Sequence, residues 1–334
     1  MPSGHRDNFV NSKRGTVRTP YVKGSTGLLV TTAFRPLAKR LPHSILCRLY
    51  HYRRLREEAA RTAKVAVLTG LPLLQTIDLA SLRSSETLFI LGSAPSINGI
   101  SKKRWHGISM HDSVGINFWP VHSFVPRFYH FENITYDEQP AMYEALRDLL
   151  VRRAVAYTNT LKIITEIGPI GQRQLVFEIP GTLRKQLYLG FSMPVVARNE
   201  EELRAGIRFM DSLGAFNPQH PASWLFKYGG SAIGMLTLAV LMGYKRVVLC
   251  GVDLNKQVYF YQDQSVYPEC SGWEFVSREE IHLTARRLPW LVPAPSAIQI
   301  FKEVVLDPAK IQLFVESRES ALYPNVPLAP WSLF

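Results

Sequence analysis

The sequence lacks any uninterrupted run of 18 or more apolar residues, and it therefore predicts no transmembrane helix. The N-terminus begins with polar residues and has no apolar core of a secretory signal peptide. Three cysteines in 334 residues are too few and too widely spaced for a disulfide framework or a zinc site, which favours a reducing compartment. These absences predict a cytoplasmic protein, at most peripheral on the inner face of a membrane.

Familiar nucleotide-binding signatures are also missing. The chain has neither a P-loop nor a Gly-x-Gly-x-x-Gly fingerprint, so neither ATP nor NAD is indicated. It also has no Asp-x-Asp pair, which usually holds a divalent ion on a nucleotide sugar. These absences agree with a protein that needs neither a metal ion nor a cofactor.

Acidic residues are scarce at the start of the chain. Residues 1–64 carry 14 Lys and Arg against three acidic residues, so almost all of the net charge of +12 lies there. The pattern from Leu41 to about Leu68 predicts an amphipathic helix with a basic face, and we treat residues 1–85 as a basic N-terminal arm. An anionic membrane surface is the expected partner, and the alternative is a helix packed on the body with its basic face in solvent. Nucleic acid is not expected, because the arm has no recognisable reading motif and the body is nearly neutral.

Residues 86–334 have the pattern of an α/β domain. Short buried-strand patterns occur at 87–91, 113–118, 127–133, 175–179 and 311–315, and helical periods occur at 140–153, 199–213 and 296–305. This alternation predicts a mostly parallel sheet flanked by helices. The segment 255–280 is rich in aromatic and polar residues, which is typical of a loop that covers a substrate.

Three of the predicted strands end in small or amide residues. The first runs into the turn 92–98, the second reaches Asn117, and the third ends in Glu132 and Asn133. Side-chain amides can read the edge of a base or a sugar with paired donors and acceptors. A single Asn at a strand end is more often a turn former, so the three ends taken together carry the prediction.

The stretch 229–253 reads as a glycine turn, a short apolar helix and a buried strand that ends in Gly-Val-Asp. Gly229 and Gly230 allow the backbone to approach a ligand, and Ser231 stands where a helix N-terminus favours an anion. Ligands of open α/β sheets bind at the carboxyl ends of strands, which here means residues 251–253. The alternative is an ordinary αβ unit of the core.

In these motifs the chain resembles the bacterial sialyltransferases that use CMP-sialic acid and modify lipooligosaccharide, glycosyltransferase family 42. The turn Gly92-Ser-Ala-Pro-Ser-Ile97 is similar to the family's Gly-Asn-Gly-Pro-Ser-Leu, and residues 115–118 are similar to its strand ending in Cys-Asn-Gln-Phe. The run 231–253 resembles the family's Ser-Gly to Gly-Ile-Asp segment, and residues 281–284 resemble a Gly-His-Ser-like segment. The similarity extends in order over about residues 86–325.

The resemblance implies a modified Rossmann-like fold of GT-A type with a flexible lid region, and an inverting, metal-independent reaction. It implies His282 as the general base for the acceptor hydroxyl, because an imidazole titrates near neutral pH. It also implies that one or two of Tyr259, Tyr261 and Tyr267 hydrogen-bond the leaving phosphate. The donor-binding residues that it implies are Gly92, Ser93, Ala94, Asn117, Asn133 or its neighbour Glu132, Gly230, Ser231, Gly251 and Asp253.

By the same resemblance, the ligands would be a CMP-sugar donor and a cell-surface glycan such as lipooligosaccharide, and a homo-oligomer is expected. The chain departs from the family at three positions, because Ser93 replaces an Asn, Tyr228 an Arg and Gly230 a Thr. The donor could therefore be Kdo or another nonulosonate. The other hypotheses are a flagellin-glycosylation or pterin diphosphokinase-like enzyme of similar core, and a non-enzymatic scaffold held at the membrane by the arm.

Overall fold

The computed structural model describes residues 43–219, 224–255, 258–273 and 291–334. The chain divides into compact units of residues 1–50 and 51–334. A long helix, α1 (His43–Thr69), confirms the helix expected over 41–68 and continues from the first unit into the second. Residues 51–85, which the sequence assigned to the arm, thus belong to the same compact unit as the sheet.

One sheet of seven parallel strands forms the centre of the second unit. Its strands are β1 (Thr87–Leu91), β2 (Asp112–Ile116), β3 (Phe128–Glu132), β4 (Leu161–Thr165), β5 (Leu187–Leu189), β8 (Arg246–Cys250) and β9 (Gln312–Val315). They lie in the order β5-β4-β3-β2-β1-β8-β9, and every neighbouring pair is parallel. Two further strands, β6 (Phe191–Pro194) and β7 (Trp224–Lys227), pair with each other in a small parallel sheet.

Helices cover both faces of the sheet, which confirms the predicted α/β, Rossmann-like architecture. Alternate residues of β1 enter separate apolar layers: Leu88 and Ile90 lie in one, Phe89 and Leu91 in the other. The helix bounds are α2 (Lys102–Ser109), α3 (Pro140–Arg153), α4 (Leu175–Glu178), α5 (Gly181–Arg184), α6 (Glu200–Ser212), α7 (Ser231–Leu241) and α8 (Ala294–Phe301).

Local sequence explains where these helices begin. The Asn199 side chain accepts the backbone N–H of Glu202 at 2.9 Å and caps α6, whose first turn is acidic. Helix α7 is apolar on every side, and its residues from Ile233 to Leu241 are all buried. A helix of this kind is stable only inside a core, and α7 lies in the layer that also contains β6, β7 and α6.

One predicted strand is wrong. Residues 175–179 were expected to be extended, but they form the single helical turn α4, whose first N–H groups bond the chain that follows β3. Leu175 donates its N–H to Ile134 O at 3.0 Å, and Val176 donates to the Asn133 side chain at 2.9 Å. A short apolar run suits either state, and here long-range hydrogen bonds select the helical one.

Among the helices within the described ranges, none combines the length and the apolar character needed to cross a bilayer.

Candidate functional site

The strand order reverses at β1, because β2 lies on one side of it and β8 on the other. In open parallel sheets such a reversal opens a crevice at the carboxyl edge, where ligands bind. The loops after β1 and β8 meet at this point: Gly92 donates to Cys250 O at 2.8 Å, and Ala94 donates to Gly251 O at 2.9 Å.

Both glycines at this crossing are required by the close approach of the two loops. A Cβ on Gly92 would lie 2.4 Å from the carbonyl oxygen of Gly251. Gly251 has a φ of +65°, and a Cβ there would lie 2.5 Å from the side chain of Ile97. Gly92 and Gly251 are therefore explained by the fold itself.

Asp253 also has a structural task at this edge. Its carboxylate is buried and accepts hydrogen bonds from Ser96, at 3.2 Å from the backbone N–H and 2.7 Å from the hydroxyl. Burial raises the pKa of Asp253, although the Ser96 hydrogen bonds oppose the rise. The carboxylate thus fixes the turn after β1, of which Ser93 and Ala94 remain partly exposed.

The aromatic loop packs on that turn. Phe260 donates its N–H to Ser93 O at 2.8 Å, and Asn98 donates to Phe260 O at 3.0 Å. The Tyr267 hydroxyl donates to the side-chain Oδ1 of Asn98 at 3.4 Å. The described part of the loop therefore packs directly on the turn 92–98, and its role in covering a substrate stays a prediction.

The three tyrosines occupy different environments. Tyr259 and Tyr261 stack with their ring centroids 5.3 Å apart, and Tyr261 is buried against Phe118 and Trp273. Tyr259 is only half-buried, and both its burial and the nearby charge of Glu132 raise its pKa. Of the three tyrosines, Tyr259 is thus the one whose pKa responds to a charge of the polar group described next.

Five polar residues form a connected group at the ends of β2, β3, β4 and β7 and the start of α7, and we call it the strand-end cluster. Its members are Asn117, Glu132, Glu166, Lys227 and Ser231. The Ser231 hydroxyl donates to Glu132 Oε1, and Asn117 Nδ2 donates to Ser231 Oγ at 3.4 Å. The Glu132 N–H donates in turn to Asn117 Oδ1 at 3.3 Å, which closes the ring.

Lys227 joins two carboxylates within the cluster. Its ammonium lies 3.0 Å from Glu132 Oε1 and 2.9 Å from Glu166 Oε1. Burial alone would raise the pKa of Glu132, but the charge of Lys227 and the Ser231 hydrogen bond outweigh it and hold the pKa well below its usual range. Glu132 is therefore ionised near neutral pH, and the cluster carries two negative charges against one positive charge.

The backbone of the cluster is strained at two strand ends. Asn117 has a φ of 50° and Glu166 a φ of 62°, both in the left-handed region that only glycine adopts freely. Asn117 is held there by its N–H bond to His130 O at 2.8 Å and by the Tyr129 hydroxyl, which donates to Asn117 O. Such conformations cost about 1–2 kcal/mol and concentrate at functional sites.

The glycine turn that precedes α7 is not crowded by the described part of the chain. Apart from its own chain neighbours, no described residue has an atom within 4 Å of the position that a Cβ on Gly230 would occupy. No side chain of the N-cap residue Gly230 occupies the first N–H groups of α7, and that helix end favours an anion. Ser231, the first residue of α7, therefore stands at a helix end that suits a negatively charged group.

The structure distributes the predicted site residues unevenly. Asn117 and Ser231 belong to the strand-end cluster, whereas the Asn133 amide is used by the fold, at 2.8 Å from Gln174 Oε1 and 2.9 Å from Val176 N. Glu132 is instead the residue of that strand end whose side chain reaches Ser231. His282 lies outside the described residues, and its role as base stays a prediction.

Sequence reasoning missed Lys227 and Glu166, although each lies at or just after the end of a strand. The signal that could have found them is the one used for Asn117, a polar residue that closes a buried run. Tyr228, where the resemblance has an arginine, is buried and bonds Ala197 O at 3.1 Å and Val292 N at 2.8 Å. Lys227 is therefore the residue of this turn that brings positive charge to the cluster.

A separate cavity of about 640 Å³ opens at the opposite, amino edge of the sheet, where Ser84, Asp112 and Arg127 line it. The buried Asp112 carboxylate already accepts hydrogen bonds from Ser84 and from the Tyr244 hydroxyl, the latter at 2.8 Å. The polar groups that line this cavity thus join the starts of the strands, and we place the candidate site at the carboxyl edge instead.

Among the side chains of the described ranges, no three His, Cys, Asp or Glu residues are grouped so that they could hold a metal ion. No protein-family model matches this chain, and no curated protein matches it.

Proposed function

We propose that this chain is a glycosyltransferase that moves a sugar from a CMP-linked donor to a cell-surface glycan acceptor. The observation that carries the proposal is the convergence of the strand-end cluster, the Gly230 turn and the turn 92–94 at the carboxyl edge of one parallel sheet. A nucleotide sugar needs backbone N–H groups for phosphate and polar side chains for hydroxyls, and this edge has both. The motifs shared with CMP-sialic-acid-dependent enzymes supply the donor class.

The donor sugar that we favour is a nonulosonate, and the cluster sets a condition on it. A nonulosonate carboxylate would bind near Ser231, where Glu132 already accepts the hydroxyl. Binding of this donor therefore requires the Ser231 hydroxyl to leave the Glu132 carboxylate and to donate to the sugar carboxylate instead. Lys227 is the cation that would lie within reach of both carboxylates.

The charge of Glu132 favours a second candidate, a nucleotide donor with an uncharged sugar. An ionised carboxylate accepts hydrogen bonds from sugar hydroxyls strongly, and Asn117 beside it offers one donor and one acceptor group. The two candidates differ in whether the charge of Glu132 hinders or helps donor binding.

The chemical roles follow from protonation states. Glu132 is a poor general base because its pKa lies below its usual range, so we assign proton abstraction to His282. Burial raises the pKa of Tyr259, so that its phenol stays protonated and can donate a hydrogen bond to a leaving phosphate. We expect no metal ion and no cofactor in this reaction.

The first test is ligand-dependent melting of the whole protein. CMP at a hundred times its dissociation constant should raise the melting temperature by on the order of 5 °C without added metal, whereas ATP with Mg²⁺ and NAD should leave it unchanged. The variant Ser231→Ala, which is used in the second test, has Ser212→Ala at the exposed end of α6 as its matched control. A shift with ATP and Mg²⁺ instead of CMP would favour a diphosphokinase-like enzyme, and no shift with any nucleotide would contradict the proposal.

The second test is a donor screen that reads out nucleotide release in the presence of glycan acceptors. CMP-nonulosonates should be consumed, and Ser231→Ala should weaken their binding by about tenfold while leaving the binding of free CMP unchanged. His282→Ala should retain CMP binding and lose transfer, and undiminished transfer would exclude it as the base. Consumption of neutral-sugar donors alone would establish the second candidate.

A further inference from the structure

Helix α1 turns polar side chains toward the body. Within the second unit its buried residues are His51, Glu58, Thr62 and Val65. His51 accepts the Val196 N–H at 3.1 Å, and Arg61 donates to Ile167 O at 3.0 Å. Three of these four buried residues are polar; His51 bonds the body, whereas Glu58 pairs with Arg54 and Arg61 of the helix itself.

The opposite face of α1 is apolar and lies in solvent. Leu49 is 54% exposed, Tyr52 50% and Val67 84%. The positions 45, 49, 52, 56, 60, 63 and 67 follow at intervals of three and four residues and therefore share one face of a helix. We call this face the outward stripe: Ile45, Leu49, Tyr52, Arg56, Ala60, Ala63 and Val67, all of which are exposed.

This arrangement is the reverse of an ordinary surface helix, which buries its apolar face and exposes its polar one. An exposed apolar face of this length marks an interaction surface. Its charge shows which kind of surface it fits. Lys64 is exposed along one side of the outward stripe together with Arg53, which pairs with Glu57 at 2.6 Å, and Arg56 lies within the stripe. The preceding 42 residues contain eight Lys and Arg against a single acidic residue.

We propose that the outward stripe docks on the surface of an anionic lipid bilayer, with α1 lying in the plane of the membrane. The apolar side chains would enter the boundary between headgroups and acyl chains, and the flanking Arg and Lys side chains would extend to the anionic headgroups. Each basic residue near such a surface strengthens binding by about fivefold. The proposal stands on α1 alone and does not depend on the proposed function.

Other occupants fit this face less well. A nucleic acid would engage the basic residues but would leave Leu49, Tyr52 and Val67 without apolar partners. A second copy of the chain would bring the basic residues of two stripes together, and the basic segment 1–42 would likewise place like charges against the stripe.

The test uses the whole protein and vesicles pelleted by centrifugation. We expect binding to vesicles of phosphatidylcholine with 30% phosphatidylglycerol, and little binding to pure phosphatidylcholine. The triple variant Leu49→Gln, Tyr52→Gln, Val67→Gln should weaken binding at least tenfold, since it removes three apolar anchors from exposed positions. The matched control is Met110→Gln, Val151→Gln, Val155→Gln, which removes three apolar side chains that are exposed elsewhere and should bind as the unaltered protein does.

A charge variant separates the two components of binding. Arg56→Gln with Lys64→Gln should weaken binding to anionic vesicles by about 25-fold at low salt. The weaker binding that remains should not be removed by 0.5 M salt. Equal binding of the outward-stripe variant and its control would overturn the proposal. So would binding of RNA in place of vesicles, or a loss of dimer in the stripe variant without any loss of vesicle binding.

Discussion

The carboxylate of Glu132 is the side chain on which the character of the strand-end cluster depends. It accepts the Ser231 hydroxyl, lies 3.0 Å from the Lys227 ammonium and shares that cation with Glu166. Its ionisation leaves a net negative charge at the place where the resemblance expects the carboxylate of a sugar. The identity of the donor is therefore a question about this one charge.

Glu132→Gln should strengthen the binding of a CMP-nonulosonate and leave the binding of free CMP unchanged. Two carboxylates that compete for one hydroxyl lie about 6 Å apart, and at an effective dielectric constant near 20 their repulsion costs about 2.8 kcal/mol, or roughly a hundredfold in affinity. Titration calorimetry with both ligands measures the difference, and the exposed Glu201→Gln in α6 is the control. Weaker binding of the sugar nucleotide by Glu132→Gln would show that Glu132 reads hydroxyls, as expected for a neutral sugar.

At this scale the sequence identified the location of the site better than its members. Asn117 and Ser231 follow a buried run and a glycine turn, so their positions could be predicted locally. Glu132 and Asn133 are neighbours at one strand end, and which of them reaches the site depends on the alternation of β3, which places Glu132 on the side of α7 and Asn133 on that of Gln174. Lys227 joins two carboxylates from distant strands, and no local pattern could pair these three residues.

At the scale of elements, the crossing of the loops after β1 and β8 is the most demanding feature of the fold. Gly251→Ala should lower the free energy of unfolding by about 2–4 kcal/mol, because it combines a left-handed φ with a contact of 2.5 Å to Ile97. Urea unfolding measures the change. Gly99→Ala is the matched control and should change stability by no more than about 0.5 kcal/mol, since no described residue beyond its chain neighbours has an atom within 4 Å of the Cβ position of Gly99. Equal stabilities of the two variants would contradict this explanation of Gly251.

Elements with a clear period or a continuous buried run could be predicted from the sequence. Helices α1, α3 and α6 and strands β1 and β9 lie within about two residues of the ranges expected. The turn α4 was predicted as a strand because four or five apolar residues fit both states, and only its bonds to Asn133 and Ile134 decide between them. The two short strands of the small sheet, β6 and β7, carry no periodic signal of their own.

At the scale of the whole molecule, the sequence indicates a parallel sheet but does not determine its order. Strands β1 to β5 lie side by side in chain order, whereas β8 lies on the other side of β1, with β9 beyond it. This placement of β8 creates the reversal next to β1 and thus the position of the candidate site. The position of β8 depends on the packing of α7 against segments that are far apart in the chain, and periodicity alone does not encode such contacts.

Buried histidines should make the molecule sensitive to acid. His51, His122 and His130 each have a pKa lowered to about 4, chiefly by burial, from the ordinary value of 6.5. They are neutral in the folded state at pH 6, while the unfolded chain binds protons there, so the stability that they contribute is complete above pH 6.5 and is lost as the pH falls toward 4. Carboxyl groups whose pKa is raised by burial, Glu58 and Glu316 among them, oppose this loss near its acidic end.

A substitution isolates one of these contributions. Between pH 7.5 and 4.5 a histidine with these two pKa values costs the folded state about 2.5 kcal/mol, so His130→Gln should reduce the acid-induced loss of unfolding free energy by about that amount, whatever its stability at neutral pH. Urea unfolding at a series of pH values gives the slope. Met110→Gln, at an exposed position without a titratable group, is the control and should leave the slope unchanged. A His130→Gln profile parallel to that of the unaltered protein would mean that His130 takes up its proton in the folded state as readily as in the unfolded chain.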